Sequence, residues 1–162
     1  REQAARIRLA VFDVDGVFTD GRLYYGTDGT ELKAFHTRDG HGIKELLRSG
    51  VQVAVISGRR STAVTRRMKE LGIKHVFQGR DDKLPVLEKL LKQLRISAEE
   101  TVCVGDDTPD LPLIQRAGLG VAVSDAHPSV RAAAQLTTRA AGGEGAVREV
   151  CDLILAARNQ GA

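Results

Sequence analysis

The sequence contains no tryptophan and only four phenylalanines and two tyrosines among its 162 residues. We therefore expect a core packed mainly from valine, leucine, isoleucine and alanine. The sequence shows no secretory signal and no apolar run long enough to span a membrane, and its basic residues are interspersed with acidic ones. These absences lead us to expect no membrane partner and no nucleic-acid partner.

Cysteine and histidine are also scarce. Cys103 and Cys151 lie in apolar surroundings and are too few for a disulfide framework, which favours a reducing, cytoplasmic location. The four histidines lack the short spacing of a zinc site. The length fits one domain, residues 1–162, and the sequence has no internal repeat.

Short apolar runs alternate with amphipathic segments, which predicts an α/β fold with a Rossmann-like parallel sheet flanked by helices. Strands are expected near residues 7–12, 51–56, 74–78, 101–105, 120–123 and 135–138. Helices are expected near residues 43–48, 61–71, 83–94, 109–117, 127–134 and 146–157. Ser61 is the expected N-cap of the second helix, and Asp81 or Asp82 that of the third. The glycine-rich residues 140–145 are expected to form a flexible loop.

Residues 20–38 are predicted to form a β-hairpin arm. Asp28-Gly29 separates two strand-like runs, residues 22–26 and 31–36, as is typical of hairpins. An isolated hairpin is marginally stable in water, and its tyrosines would form an exposed apolar patch. We therefore expect the arm to pack on the domain or on other copies of the chain.

Two carboxylates follow the first predicted strand. Alternate residues of a strand point to one side, so Asp13 and Asp15 can face the same space. Such a pair is costly unless a positive group lies between the carboxylates. Gly16 allows the backbone to turn sharply there. Calcium loops share the Asp-x-Asp-Gly pattern, but their remaining ligands are missing here.

Polar residues follow two further predicted strands, at Ser57-Gly58-Arg59 and at Asp106-Asp107. Parallel sheets bind ligands at the carboxyl ends of their strands, so we expect these groups to share one site. A cluster of Asp13, Asp15 and Asp106 favours magnesium over zinc.

The remaining residues of this predicted site suit phosphate. Ser57 supplies a hydroxyl and Gly58 an accessible N–H, while Lys83 supplies a positive charge at a helix start. Metal, lysine and hydrogen-bond donors around one point indicate phosphoryl transfer, with an aspartate carboxylate as the nucleophile.

The order of these motifs resembles the haloacid dehalogenase superfamily of phosphohydrolases. The matching motifs are residues 12–16, residues 56–58, Lys83 and residues 105–110. The resemblance implies that Asp13 is the nucleophile and that Asp15 is the general acid and base. It implies that Ser57 and Lys83 bind the transferring phosphoryl group.

The same resemblance implies how magnesium is held. Its ligands would be the Asp13 carboxylate, the Asp15 main-chain carbonyl and Asp106. Asp107 and Asp110 would support the metal through water or hydrogen bonds.

Five segments are similar to the family of 3-deoxy-D-manno-octulosonate 8-phosphate phosphatases: residues 12–21, 38–42, 57–59, 126–128 and 141–149. That family has no cap domain. The resemblance implies a magnesium-dependent phosphatase of lipopolysaccharide sugar biosynthesis, acting through an aspartyl-phosphate. It also implies a homotetramer joined through the hairpin arms. Residues 142–145 resemble a segment that reaches a neighbour's active site, although a linker before the last helix fits these residues equally well.

The substrate of such an enzyme is a phosphorylated sugar acid. Arg59 and Arg38 are candidates to bind its carboxylate or hydroxyls, because arginine offers two parallel donors, and Thr19 is a further candidate. Two alternatives remain open. One is a phosphatase for a nine-carbon, sialic-acid-type 9-phosphate or another sugar phosphate. The other is a phosphoacceptor signalling domain.

Overall fold

A parallel sheet forms the centre of the computed structural model, which describes residues 2–160; Arg1, Gly161 and Ala162, at the ends of the predicted domain, lie outside the described residues. The strands are β1 (Leu9–Phe12), β2 (Tyr24–Tyr25), β3 (Glu31–Leu32), β4 (Gln52–Ile56), β5 (His75–Phe77), β6 (Thr101–Gly105), β7 (Leu119–Ala122) and β8 (Leu136–Thr137). Six of them pair in the order β5-β4-β1-β6-β7-β8, and every neighbouring pair is parallel. The predicted parallel sheet is confirmed.

Helices cover both faces of this sheet. They are α1 (Glu2–Ala5), α2 (Thr37–Arg48), α3 (Thr62–Leu71), α4 (Leu84–Leu94), α5 (Leu111–Arg116), α6 (Pro128–Ala133) and α7 (Ala146–Gln160). Ala10 and Phe12 of β1 pack in the cluster that includes α2, α3 and α7, whereas Leu9 and Val11 pack in the cluster that includes α4. Alternate residues of a buried strand thus supply two separate cores.

Helix α2 begins at Thr37, six residues earlier than predicted. The His36 ring Nδ1 accepts a hydrogen bond from the N–H of Arg38 (3.1 Å) and caps the helix. Gly40 and Gly42, which conceal the helical pattern in the sequence, are required by packing. A Cβ atom at Gly42 would lie 2.8 Å from Cδ of Arg148 on α7.

The caps of the other helices agree with the sequence in part. Ser61 caps α3 as predicted, accepting from the N–H of Val64 (3.4 Å). The prediction that Asp81 or Asp82 caps α4 is wrong, because Lys83 occupies the N-cap position and makes no capping bond. The predicted helix from residue 109 instead starts as a 3-10 turn (Thr108–Asp110) and continues as α5.

The hairpin arm is the insertion between β1 and α2. Strands β2 and β3 pair antiparallel as predicted, but each is only two residues long. Within residues 2–160 the chain carries no cap domain. None of the helices in this range is both long enough and apolar enough to cross a membrane.

Residues 142–145 pack on the loop that follows β1 in the same chain. The N–H of Gly143 donates to the carbonyl of Val17 (3.0 Å), and the N–H of Gly142 donates to Oδ1 of Asp125 (3.0 Å). A Cβ atom at Gly142 would overlap the Gly16 carbonyl oxygen. The glycines therefore allow this segment to support the loop that carries Asp15.

Candidate active site

A cavity of about 420 Å³ opens at the carboxyl ends of β1, β4 and β6. This volume suits a small organic ligand. It is lined by Asp13, Asp15, Gly21, Ser57, Gly58, Arg59, Arg80, Asp81, Lys83, Asp106, Asp107, Pro109 and Asp110. Of the predicted site residues, all except Thr19 and Arg38 are therefore brought together.

The strand ends that carry these residues are joined by backbone hydrogen bonds. The N–H of Asp13 donates to the carbonyl of Val104 on β6 (3.2 Å). The N–H of Ser57 donates to the carbonyl of Phe77 on β5 (2.8 Å). The sheet pairing thus continues one residue beyond each strand and fixes the positions of the first two motifs.

Three carboxylates meet at the floor of the cavity. One oxygen from each of Asp13, Asp106 and Asp110 lies within 4.8 Å of the other two. Burial raises the pKa of both Asp13 and Asp106; the Asp110 charge raises both further, and the Asp13 charge also raises that of Asp106. A hard divalent cation would relieve this repulsion, so the donor set fits magnesium.

Lys83 is the cation that the chain itself places in this cluster. Its side chain is buried, and its Nζ lies 2.7 Å from Oδ1 of Asp110 and 3.2 Å from Oδ1 of Asp13. Burial opposes the charge of Lys83, but the two carboxylates outweigh it and raise the pKa of the ammonium group. Lys83 is therefore a buried charged group of the site and not a solvated helix residue.

Asp110 organises the loop that carries Asp106. Its Oδ2 accepts hydrogen bonds from the N–H groups of Asp106 (3.0 Å) and Asp107 (3.3 Å). Its other oxygen is taken by Lys83. The side chain of Asp107 caps the following 3-10 turn, accepting from the N–H of Thr108 (2.7 Å).

Gly16 allows the loop after β1 to approach the carboxylate cluster. Its φ is +90°, in the region that favours glycine, and a Cβ atom there would overlap Oδ2 of Asp106. The sharp turn that the sequence predicted at Gly16 brings its backbone against Asp106.

Two predicted substrate-binding residues lie outside the cavity. The hydroxyl of Thr19 is buried and accepts from the N–H groups of Gly16 (3.2 Å) and Gly21 (3.1 Å). Arg38 is exposed in the first turn of α2. The predicted substrate contacts of these two residues are therefore not supported within one chain. Thr19 instead stabilises the loop that follows β1.

Sequence reasoning missed a cation from the arm. The side chain of Lys33 is fully buried, and its Nζ lies 2.6 Å from Oδ1 of Asp15 and 3.0 Å from Oε1 of Glu31. Alternation places residues 31 and 33 on one side of the arm, but nothing in that pattern indicates which surface they meet. Arg80 and Asp81, in the loop before α4, were also missed because no motif marks them.

Comparisons with known proteins identify the family of this chain. Residues 75–150 match the family model described as haloacid dehalogenase-like hydrolase. The chain is 49% identical over 159 residues to the 3-deoxy-D-manno-octulosonate 8-phosphate phosphatase KdsC of Yersinia pestis, covering 98% of this chain and 85% of that protein.

Two solved structures are similar over nearly the whole chain. The Moraxella catarrhalis phosphatase, in complex with a magnesium ion, a phosphate ion and a KDO molecule, gives a TM-score of 0.96 at 46% identity, covering 98% of this chain and 91% of that one. The cobalt-bound phosphatase of Haemophilus influenzae gives 0.93 at 43% identity, covering 97% and 92%. This chain therefore belongs to the 3-deoxy-D-manno-octulosonate 8-phosphate phosphatase family of the haloacid dehalogenase-like hydrolases.

Proposed function

We propose that this protein is a magnesium-dependent phosphatase that hydrolyses 3-deoxy-D-manno-octulosonate 8-phosphate to the free sugar acid and inorganic phosphate. The observation that carries the proposal is the meeting of Asp13, Asp15 and Lys83 in one cavity. Membership of a family whose relatives are named for this reaction supports it.

In the proposed mechanism the hydrolysis has two steps, in which Asp13 is the nucleophile and Asp15 is the general acid and then the general base. An oxygen of Asp13 attacks phosphorus, and the bond between phosphorus and the C8 oxygen breaks as Asp15 gives that oxygen a proton. Asp15 then takes a proton from water, whose oxygen attacks phosphorus. The bond from phosphorus to Asp13 breaks, which releases phosphate and regenerates the carboxylate.

The carboxylates of Asp13 and Asp106 and the main-chain carbonyl of Asp15 would hold magnesium. When bound, the ion neutralises charge on these groups and on the phosphoryl oxygens. Asp107 and Asp110 would support the metal ligands through water or hydrogen bonds. The hydrogen bonds from the Asp106 and Asp107 N–H groups to Asp110 support that role.

Ser57, Gly58 and Lys83 would bind the transferring phosphoryl group. Ser57 and Gly58 follow β4 and line the cavity, so a hydroxyl and a backbone N–H are available there. Lys83 Nζ lies 3.2 Å from the attacking carboxylate, where it would contact both the nucleophile and a phosphoryl oxygen.

Arg59 is the proposed partner of the sugar-acid carboxylate. It lines the cavity, is partly exposed, and its Nε lies 3.9 Å from Oδ2 of Asp15. Arg80 lines the same cavity and offers a second guanidinium for an anionic substrate.

The substrate assignment is tested by comparing kcat/KM for the octulosonate 8-phosphate with kcat/KM for a nine-carbon 2-keto sugar acid 9-phosphate. We expect the eight-carbon compound to be preferred and all turnover to cease when magnesium is chelated. A preference for the nine-carbon compound would overturn the assignment while leaving the chemistry intact. A stable phospho-aspartate without turnover would instead support the signalling alternative.

We further propose that the protein forms a homotetramer through its arm. Tyr25 and Leu32 are each 62% exposed, and Leu23 and Tyr24 are also exposed, so the arm carries an apolar surface suited to another copy of the chain. Light scattering should give four times the chain mass. Replacing Tyr25 and Leu32 by serine should dissociate the assembly, and an unchanged mass would contradict the proposal.

We place the reaction in lipopolysaccharide sugar biosynthesis in the cytoplasm. Cys103 and Cys151 are both buried and unpaired, as suits a reducing compartment. Cell fractionation and accumulation of the 8-phosphate in a strain that lacks the protein would test both points.

A further inference from the structure

Lys33 joins the hairpin arm to the site. It follows β3 directly, and its fully buried ammonium group lies 2.6 Å from Oδ1 of Asp15 and 3.0 Å from Oε1 of Glu31. Charge-assisted hydrogen bonds between ammonium and carboxylate groups usually measure about 2.7 to 2.9 Å, so this contact lies at the short end for such pairs. The contact therefore fixes one of the two oxygens of Asp15 to the arm.

Arg59 completes a group of alternating charges. Its Nη2 lies 3.5 Å from Oε1 of Glu31, and its Nε lies 3.9 Å from Oδ2 of Asp15. The two carboxylates and two cations balance, but the Arg59 side chain is partly exposed whereas the Lys33 side chain is buried. Solvent screens the arginine more strongly, so Lys33 makes the dominant contact with Asp15.

A buried ammonium group stays in place only while it remains paired. Burial works against the charge of Lys33, yet its hydrogen bonds to Asp15 and Glu31 raise its pKa above the ordinary value. Its contact with Oδ1 leaves Oδ2 as the oxygen that can face the substrate.

We propose that Lys33 is a positioning residue that holds the Asp15 carboxylate in the orientation needed to protonate the leaving oxygen. The inference rests on the proposed function, in which Asp15 is the general acid. It predicts that replacing Lys33 lowers activity most on substrates whose leaving group needs a proton. An alkoxide leaving group needs one, whereas a nitrophenolate does not.

The test compares Lys33→Met, Lys33→Arg and the control Lys44→Met, which replaces an exposed lysine on α2. We expect Lys33→Met to lower kcat/KM for the octulosonate 8-phosphate about 100-fold. For p-nitrophenyl phosphate the value should change less than about threefold, because kcat/KM reports transfer to Asp13 and that step then needs no acid. Lys33→Arg should restore much of the loss, and Lys44→Met should match the wild type.

An equal loss on both phosphates would overturn the proposal, because it would assign Lys33 a structural role in the arm. No loss on either phosphate would also overturn it. A crystal structure of Lys33→Met supplies a second criterion, and an unchanged Asp15 orientation there refutes the positioning role whatever the kinetics.

The wild-type protein separates this inference from the proposed function. If the wild type does not hydrolyse the octulosonate 8-phosphate, the substrate assignment fails. The effect of Lys33 is then measured on whichever alkyl phosphate the wild type does hydrolyse, again relative to p-nitrophenyl phosphate. A selective loss on the alkyl phosphate supports the positioning role in that case too.

Discussion

Replacing Lys83 by methionine should destabilise the metal-free protein strongly. The side chain is buried, and it is the cation beside three carboxylates that lie within 4.8 Å of one another. Removing one partner of a buried ion pair typically costs about 3 to 5 kcal/mol. Because Asp13 and Asp110 both lose their contact with Lys83, we expect a loss in this range in the free energy of unfolding.

The loss should depend on pH. Without the lysine, the already raised pKa of Asp13 rises further, because the lowering effect of Lys83 is lost while burial and the Asp110 charge continue to raise it. A carboxyl group with a raised folded-state pKa favours the folded state at low pH and loses that advantage as pH rises through the raised value. Lys83→Met should therefore be most destabilised at high pH and approach the wild type in acid.

Urea unfolding in the presence of a chelator measures this loss, and Lys89→Met provides a matched control on the exposed side of α4. Magnesium should bind the variant at least as tightly as the wild type, because a competing cation has been removed. Its kcat should nevertheless fall by about 10²- to 10³-fold. Wild-type stability of Lys83→Met without magnesium would refute the reasoning about the carboxylate cluster.

Three further changes probe the supports of the site. Gly16→Ala should weaken magnesium binding in titration calorimetry and lower the free energy of unfolding by about 1 to 3 kcal/mol, because its Cβ would overlap Asp106. Gly142→Ala should lower kcat about 10²-fold with little change in secondary structure, since its Cβ would push the Gly16 carbonyl; wild-type kcat would contradict this. Asp39→Asn should raise the urea midpoint at about pH 8 but not in acid, because burial raises the pKa of Asp39 and its Oδ2 has no hydrogen-bond partner. Midpoints equal to those of the wild type at both pH values would refute this prediction.

The strands and helices that the sequence predicts correctly are those whose ends are marked by neighbouring turn or capping residues. Strand β6 coincides with its predicted range because a short Val-rich run is bounded by turn residues. Helix α3 has the expected Ser61 cap and ends at Leu71, where Gly72, whose φ is +81°, forms the C-cap. The shared location of the motif residues can also be predicted, because they come directly after parallel strands whose carboxyl ends lie at one edge of the sheet.

The elements that could not be predicted depend on contacts between distant parts of the chain. The first turns of α2 contain Gly40 and Gly42, which lower helix propensity, and only their packing against α3 and α7 explains them. Lys33 occurs in an alternating polar segment typical of a solvent-exposed strand, and it is buried only because the arm folds back on Asp15.

At the start of α4, the capping preference of Asp81 and Asp82 competes with the contacts of Lys83 in the site. Asp81 and Asp82 are good capping residues, yet the helix begins after Lys83, whose side chain is drawn into the carboxylate cluster. Asp81 lines the cavity instead. A charge network formed across β1, β6 and α4 therefore outweighs a capping bond of about 1 kcal/mol.

In the proposed reaction the Asp13 carboxylate attacks the phosphorus of a sugar-acid phosphate. Phosphate release from 3-deoxy-D-manno-octulosonate 8-phosphate, measured for the wild type and for Asp13→Asn with magnesium and with a chelator, tests it most directly. We expect rapid release by the wild type only with magnesium, and none by Asp13→Asn, which stays folded because the substitution removes a charge from a crowded cluster. Release by Asp13→Asn at the wild-type rate would contradict it.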